Sequence, residues 1–141
     1  MINPAVTEQV KQAVMQPIFF KGGLPGLGES KRFTLQVLDN NPVFFFLQSE
    51  DEEGIGLILL DPFLSFPAYS VDLSDLDKKD LEVEKKDDVL VFTTVTVLSE
   101  DKMITNLAAP LVINIRKQIA RQIFLPERAE EMRTPLPSGK K

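Results

Sequence analysis

Val89-Leu90-Val91-Phe92-Thr93-Thr94-Val95-Thr96-Val97-Leu98 is a run of ten residues with no charge, glycine or proline. Beta-branched side chains dominate it, and these suit a pleated surface better than a helix. In an extended chain Val89, Val91, Val95 and Val97 fall on one face, and Leu90, Phe92, Thr94, Thr96 and Leu98 on the other. Upstream, Phe33, Leu35 and Val37 alternate with Thr34 and Gln36. Val43 to Leu47 and Ile55 to Leu60 are short apolar runs flanked by Pro, Asp and Gly, a pattern that predicts strands covered on both faces. Asp39-Asn40-Asn41-Pro42 supplies a reversal between the second and third strands, and Glu50-Asp51-Glu52-Glu53-Gly54 the next turn.

Downstream, Leu111 to Ile115 and Gln118 to Leu125 pair as a hairpin around Asn114 to Lys117. The second of these segments also scores as an amphipathic helix, but its beta-branched content favours strand. A short helix is expected at Ser74 to Asp80, where Ser74 accepts first-turn amides and Asp75 and Asp77 sit at the positive end. The spacing of eight or nine short strands predicts an all-β fold, predominantly antiparallel and barrel-like or highly curved, with at most one or two short helices. From Glu127 to Lys141 the apolar pattern lapses and Pro135, Pro137 and Gly139 intervene. The expected organisation is therefore one domain over residues 1–126 and a tail over 127–141 that is weakly ordered or a short helix followed by disorder.

Composition narrows the chemistry. A chain of 141 residues is one domain by size and buries about 70% of its unfolded surface. It has no cysteine, which excludes disulfides and thiolate chemistry, and no histidine, which removes the commonest general base and metal ligand. No SxxK or GxSxG spacing surrounds Ser30, Ser49, Ser65, Ser70 or Ser74. Asp72, Asp75, Asp77 and Asp80 lack the central Gly and terminal Glu of a calcium loop. No catalytic residue, metal ligand or cofactor site is expected. Met1 to Gln16 mixes Glu8, Lys11 and glutamines among its apolar positions, unlike a signal peptide, and no apolar run spans a membrane. A soluble, unexported chain is expected.

The net charge of −5 is unevenly spread: Glu50 to Asp88 holds 13 acidic and 4 basic residues, and Asp101 to Lys141 holds 4 acidic and 8 basic. The acidic middle repels phosphate backbones and attracts basic partners over about 8–10 Å, which argues against direct nucleic-acid binding. Asp51, Glu52, Glu53, Asp72 and Asp75 are the candidate residues for such a contact, against the plain alternative of a solvated acidic face.

Three further segments stand out. Gly22-Gly23-Leu24-Pro25-Gly26 lacks the GK[ST] ending of a phosphate loop, so Gly23, Pro25 and Gly26 read as a structural turn with Pro25 at its first position and Gly26 at positive φ. Asp61-Pro62-Phe63-Leu64-Ser65-Phe66 begins an aromatic stretch in which Phe66 and Tyr69 are either core or anchors for a protein partner. Asn106-Leu107-Ala108-Ala109-Pro110 offers Asn106 for a turn and small residues such as Ala109 that let a partner backbone approach.

The order of these segments, the last continuing through Leu111-Val112-Ile113-Asn114, together with Leu47-Gln48-Ser49 and Ile119 to Leu125, resembles the FliW family of flagellar assembly factors over Ile18 to Leu125. Residues 1–17 show no match to that family's first strand, and Val6, Val10 and Val14 read instead as a helix face. The resemblance implies a cytoplasmic protein, monomeric when free, that binds flagellin and the RNA-binding repressor CsrA in mutual exclusion and so relieves repression of flagellin mRNA. A small carboxylate-dependent enzyme or a sugar-binding β domain is the alternative.

Overall fold

The computed structural model describes residues 10, 11, 13, 14, 16–37 and 43–137. The Asp39–Pro42 reversal, Val6 and the last four residues lie outside them. Nine strands form one sheet: β1 (Ile18–Phe20), β2 (Arg32–Val37), β3 (Phe44–Ser49), β4 (Gly56–Leu60), β5 (Val89–Ser99), β6 (Lys102–Thr105), β7 (Leu111–Asn114), β8 (Ile119–Gln122) and β9 (Thr134–Pro135). Their order is β4-β3-β2-β1-β8-β7-β5-β6-β9, and a further β4–β5 pairing closes seven of them into a barrel. All pairings among the described residues are antiparallel except β1–β8, where Phe19 lies opposite Ile119 and Phe20 opposite Ala120. The sheet is therefore mixed, and closure removes the edges an open sheet would expose.

β5 makes closure possible because it is long enough to serve three neighbours. Val89 to Phe92 pairs with β7, Thr93 to Val95 with β4, and Val95 to Ser99 with β6. Its first five residues are buried on both faces, while Val97 and Leu98 beyond the barrel are exposed. Leu90 and Phe92 point into the barrel interior with Phe20, Phe33, Leu35, Phe45, Leu47 and Leu59. Phe45 meets Phe92 edge-on with ring centroids 4.9 Å apart, and Phe20 meets Phe33 at 5.4 Å. Such pairs add about 0.5–1.5 kcal/mol to their area burial. Val10 and Ala13, both helical, are buried in the same core.

A second core lies outside the barrel. The long connection from β4 to β5 runs as a strap over the outer face of β5, β7 and β8, packing Tyr69, Val71, Leu73 and Leu81 on Val89, Val91, Val112 and Ile123. It contains α1 (Pro62–Ser65), started by Asp61 accepting the Phe63 amide at 3.0 Å, and α2 (Asp75–Asp80), started by Ser74 accepting the Asp77 amide at 3.0 Å. The helix expected at Ser74 to Asp80 is thus present, whereas α1 is a single turn with no periodic signal.

Two expectations need correcting. β3 and the first part of β4 are not covered on both faces: Phe45 and Leu47 are buried, but Phe44, Phe46 and Ile58 are only half-buried because the strap does not extend over them, whereas Leu59 and Leu60 at the end of β4 are both buried. Residues 127–137 also carry more order than their composition predicts. Pro126–Glu131 forms a 3-10 turn, the Leu107 amide donates to Glu131 O at 3.1 Å, and β9 pairs with β6.

Candidate protein-binding surface

The glycine segment is a turn, as its residues predict. Leu27 donates to Leu24 O at 3.1 Å, with Pro25 at the first corner and Gly26 at φ +82°. At Gly23, φ +70°, an added Cβ would stand 3.2 Å from Ser30 O. This loop is clasped by the acidic turn between β3 and β4. Glu52 accepts the Ser30 hydroxyl at 3.1 Å and the Glu29 amide at 3.3 Å, and Asp51 accepts the amides of Lys31 at 2.7 Å and Arg32 at 3.0 Å. Ser49 Oγ in turn accepts the amides of Asp51 and Glu52, both at 3.0 Å, and donates to Ser30 Oγ at 2.7 Å. The backbone amides of Lys31 and Arg32 hold the Asp51 carboxyl below the usual range. Asp51 and Glu52 are consequently anchors as well as charges, while Glu50, hydrogen-bonded by Thr34, and Glu53 are exposed.

Asp72 and Asp75 belong to the strap and are exposed. Much of the strap's negative charge is met by cations from the β7–β8 hairpin and the first loop. Asp80 pairs with Arg121 and with Lys21 at 3.4 Å, Glu82 with Lys117 at 3.5 Å, and Arg116 with Glu84 at 3.4 Å and Asp88 at 3.8 Å. Burial pushes the Asp80 carboxyl up, but the Arg121 hydrogen bond and the charges of Lys21 and Arg121 outweigh it and hold the group below its ordinary range. The acidic excess between Glu50 and Asp88 thus reaches solvent both at the β3–β4 turn and at Asp72, Asp75 and Asp87 of the strap.

Tyr69 is buried, donates its hydroxyl to Leu107 O at 2.8 Å, and lies under the Arg128 guanidinium at 4.6 Å. It presents no surface to a partner. Burial pushes its phenol pKa up. Phe66 is half-buried against the same core. Asn106 accepts the Ala108 amide at 3.0 Å, and half-buried Ala109 gives its carbonyl to Gln122 Nε2 at 3.0 Å. This segment is thus tied to both the strap and β8. The residues singled out from the sequence do not converge on one patch.

The sequence places Asn114 only at the start of the hairpin turn, without its partners in the strap. Buried at the end of β7, it donates to Leu81 O at 2.7 Å and Glu82 O at 3.1 Å, and accepts the amides of Arg116 at 2.9 Å and Lys117 at 3.2 Å. Its signal was a lone amide closing the apolar run Leu111 to Ile113.

A family model, FliW protein, matches residues 2–136. The chain belongs to the FliW family. The match takes in most of the first seventeen residues, where the sequence alone suggested no counterpart. The flagellar assembly factor FliW of Clostridium tetani (strain Massachusetts / E88) is 39% identical over 120 residues, covering 84% of this chain and 83% of the relative. That of Clostridium novyi (strain NT) is 40% identical over 120 residues, with 84% of each covered. That of Shouchella clausii (strain KSM-K16) is 34% identical over 120 residues, covering 84% and 82%. The crystal structure of a flagellar assembly factor FliW superposes with a TM-score of 0.75 at 33% identity, covering 85% of this chain and 83% of that one. Among the described residues no helix is long and apolar enough to cross a membrane.

Proposed function

We propose that this chain is a non-enzymatic regulator of the flagellum that binds flagellin and the repressor CsrA in turn. It acts in the cytoplasm, is monomeric when free, and relieves repression of flagellin mRNA when flagellin leaves it. The observation that carries the reading, beyond family membership, is the acidic turn at Glu50–Glu53, in which Asp51 and Glu52 clasp the glycine loop and Glu50 and Glu53 stand exposed beside them. An acidic protein docked beside a basic RNA-binding surface weakens phosphate binding electrostatically, and two ligands competing for one protein lower each other's apparent affinity.

The enzyme alternative draws no support from the concavities. A groove of about 510 Å³ is lined by Lys21, Leu76, Asp77, Asp80 and Arg121, but its Asp80 is committed to ion pairs with Lys21 and Arg121. The test is a reconstituted mixture. Adding this protein to CsrA bound to flagellin mRNA should release the RNA, and adding flagellin should restore the complex. A stable assembly of all three proteins, or RNA retained by this chain alone at physiological salt, refutes the proposal.

A further inference from the structure

The strap covers the outer face of β5, β7 and β8; on the adjoining outer face of β3, β4 and the far half of β5, Leu60 and Val95 are buried, but Phe46, Ile58 and Val97 remain at least partly exposed. Strand register sets an apolar row across this bare face. Phe46 lies opposite Ile58, Ile58 opposite Val95, and two residues along β5 Val97 lies opposite Met103. Val97 is 55% exposed, and Phe46, Ile58 and Met103 are partly exposed. The Phe46 ring is flattened over Gly56, where an added Cβ would come within 2.6 Å of it. Single exposed apolar side chains are ordinary on a protein surface, whereas a contiguous row marks a contact site.

Charge borders this row on one side. Because β4 and β5 are antiparallel, the β3–β4 and β5–β6 turns emerge at the same end of the sheet. That end presents Glu50, Glu53, Glu100 and Asp101, all exposed, beside Lys102. The backbone groups under the row are already paired in the ladders, so this face offers no edge for an added strand and can recognise side chains only. Four strands spaced about 4.8 Å apart measure about 14 Å across, the length of about ten residues of α-helix.

We propose that this face docks an amphipathic helix of a protein partner, lying across β3 to β6 with its apolar side on Phe46, Ile58, Val97 and Met103 and a basic edge along the acidic rim. The assignment rests on the reading of the chain as a protein-binding factor and adds the surface and the chemistry it selects.

The test uses a labelled synthetic helix of about fourteen residues, with leucines at i, i+3, i+4 and i+7 spacing and lysines along one edge. It is compared with the same helix carrying glutamates there and with an extended Val/Thr-rich peptide. The lysine-edged helix should bind the full chain by fluorescence anisotropy. Val97→Asp and Met103→Asp should each weaken it at least about tenfold with melting temperature unchanged, as should the glutamate edge. Absence of binding, equal binding by both variants, or preference for the extended peptide overturns the proposal. So does sedimentation showing a dimer that Val97→Asp dissociates, since the face then belongs to a second copy. The same proteins are tested for retention of flagellin and CsrA. Helix binding without either partner refutes the regulator but keeps the docking face, and the converse refutes only the face.

Discussion

Asn114 shows how much one side chain can organise here, since its amide joins the end of α2 to the start of the β7–β8 turn through four hydrogen bonds. Asn114→Ala strands the buried Leu81 carbonyl, removes the acceptor of the Arg116 and Lys117 amides, and should cost about 2–4 kcal/mol, read as a lower urea midpoint at unchanged slope. Asp80 carries a second test at this scale. Its carboxyl titrates lower in the folded chain than in the unfolded one, so its contribution to stability is complete above the ordinary carboxylate pKa and disappears as pH falls through the depressed folded value. Asp80→Asn should therefore lower stability at neutral pH and flatten its decline in acid, measured by thermal melts from neutral to strongly acidic pH. Both roles depend on partners more than thirty positions away, at Leu81 and at Arg121. A sequence shows that an amide or carboxylate is present but not what it meets.

At the scale of elements, legibility followed how far each one draws on local chemistry. Ser74 and the acids after it suffice to start α2, Pro25 and Gly26 to make the turn, and beta-branched content to extend β5. β9 left no such trace, and the 3-10 turn before it only the bare expectation of a short helix. They are held by ladder bonds to β6, the Leu107–Glu131 bond and the stacking of Arg128 on Tyr69, none of which requires an apolar period. Ending the chain after Leu125 should therefore destabilise it by about 2–4 kcal/mol in chemical denaturation. It should also open the edge of β6, visible as concentration-dependent self-association in sedimentation. The candidate surface was only partly legible for a related reason. Charge counts point to Glu50–Glu53, but strand register alone shows that Glu100 and Asp101 stand at the same end of the sheet. Register also explains why Asp51 and Glu52, prominent as charges, serve largely as anchors.

The whole molecule is a barrel with a strap over one side and a bare, acid-rimmed face beside it. Its field should act on encounter rate more than on the lifetime of a complex, because exposed charges are screened once contact is made. Replacing Glu53, Glu100 and Asp101 together with lysine spares the clasp residues Asp51 and Glu52. This variant should associate with CsrA about tenfold more slowly at low salt and lose most of its salt dependence in stopped-flow measurements. Association as fast as wild type at both low and high salt would rule out steering by this rim. The parallel β1–β8 pair has a consequence for synthesis. Phe19 must wait for Ile119, so the barrel cannot close while the ribosome is still translating the intervening stretch. At roughly 5–20 residues per second that interval lasts about 5–20 s. As β1, β2, β3 and β4 emerge they can pair only as an open sheet, which leaves its apolar inner surface accessible to a chaperone, and the nascent protein becomes competent for any partner that reads the closed barrel only when its last strands clear the exit tunnel.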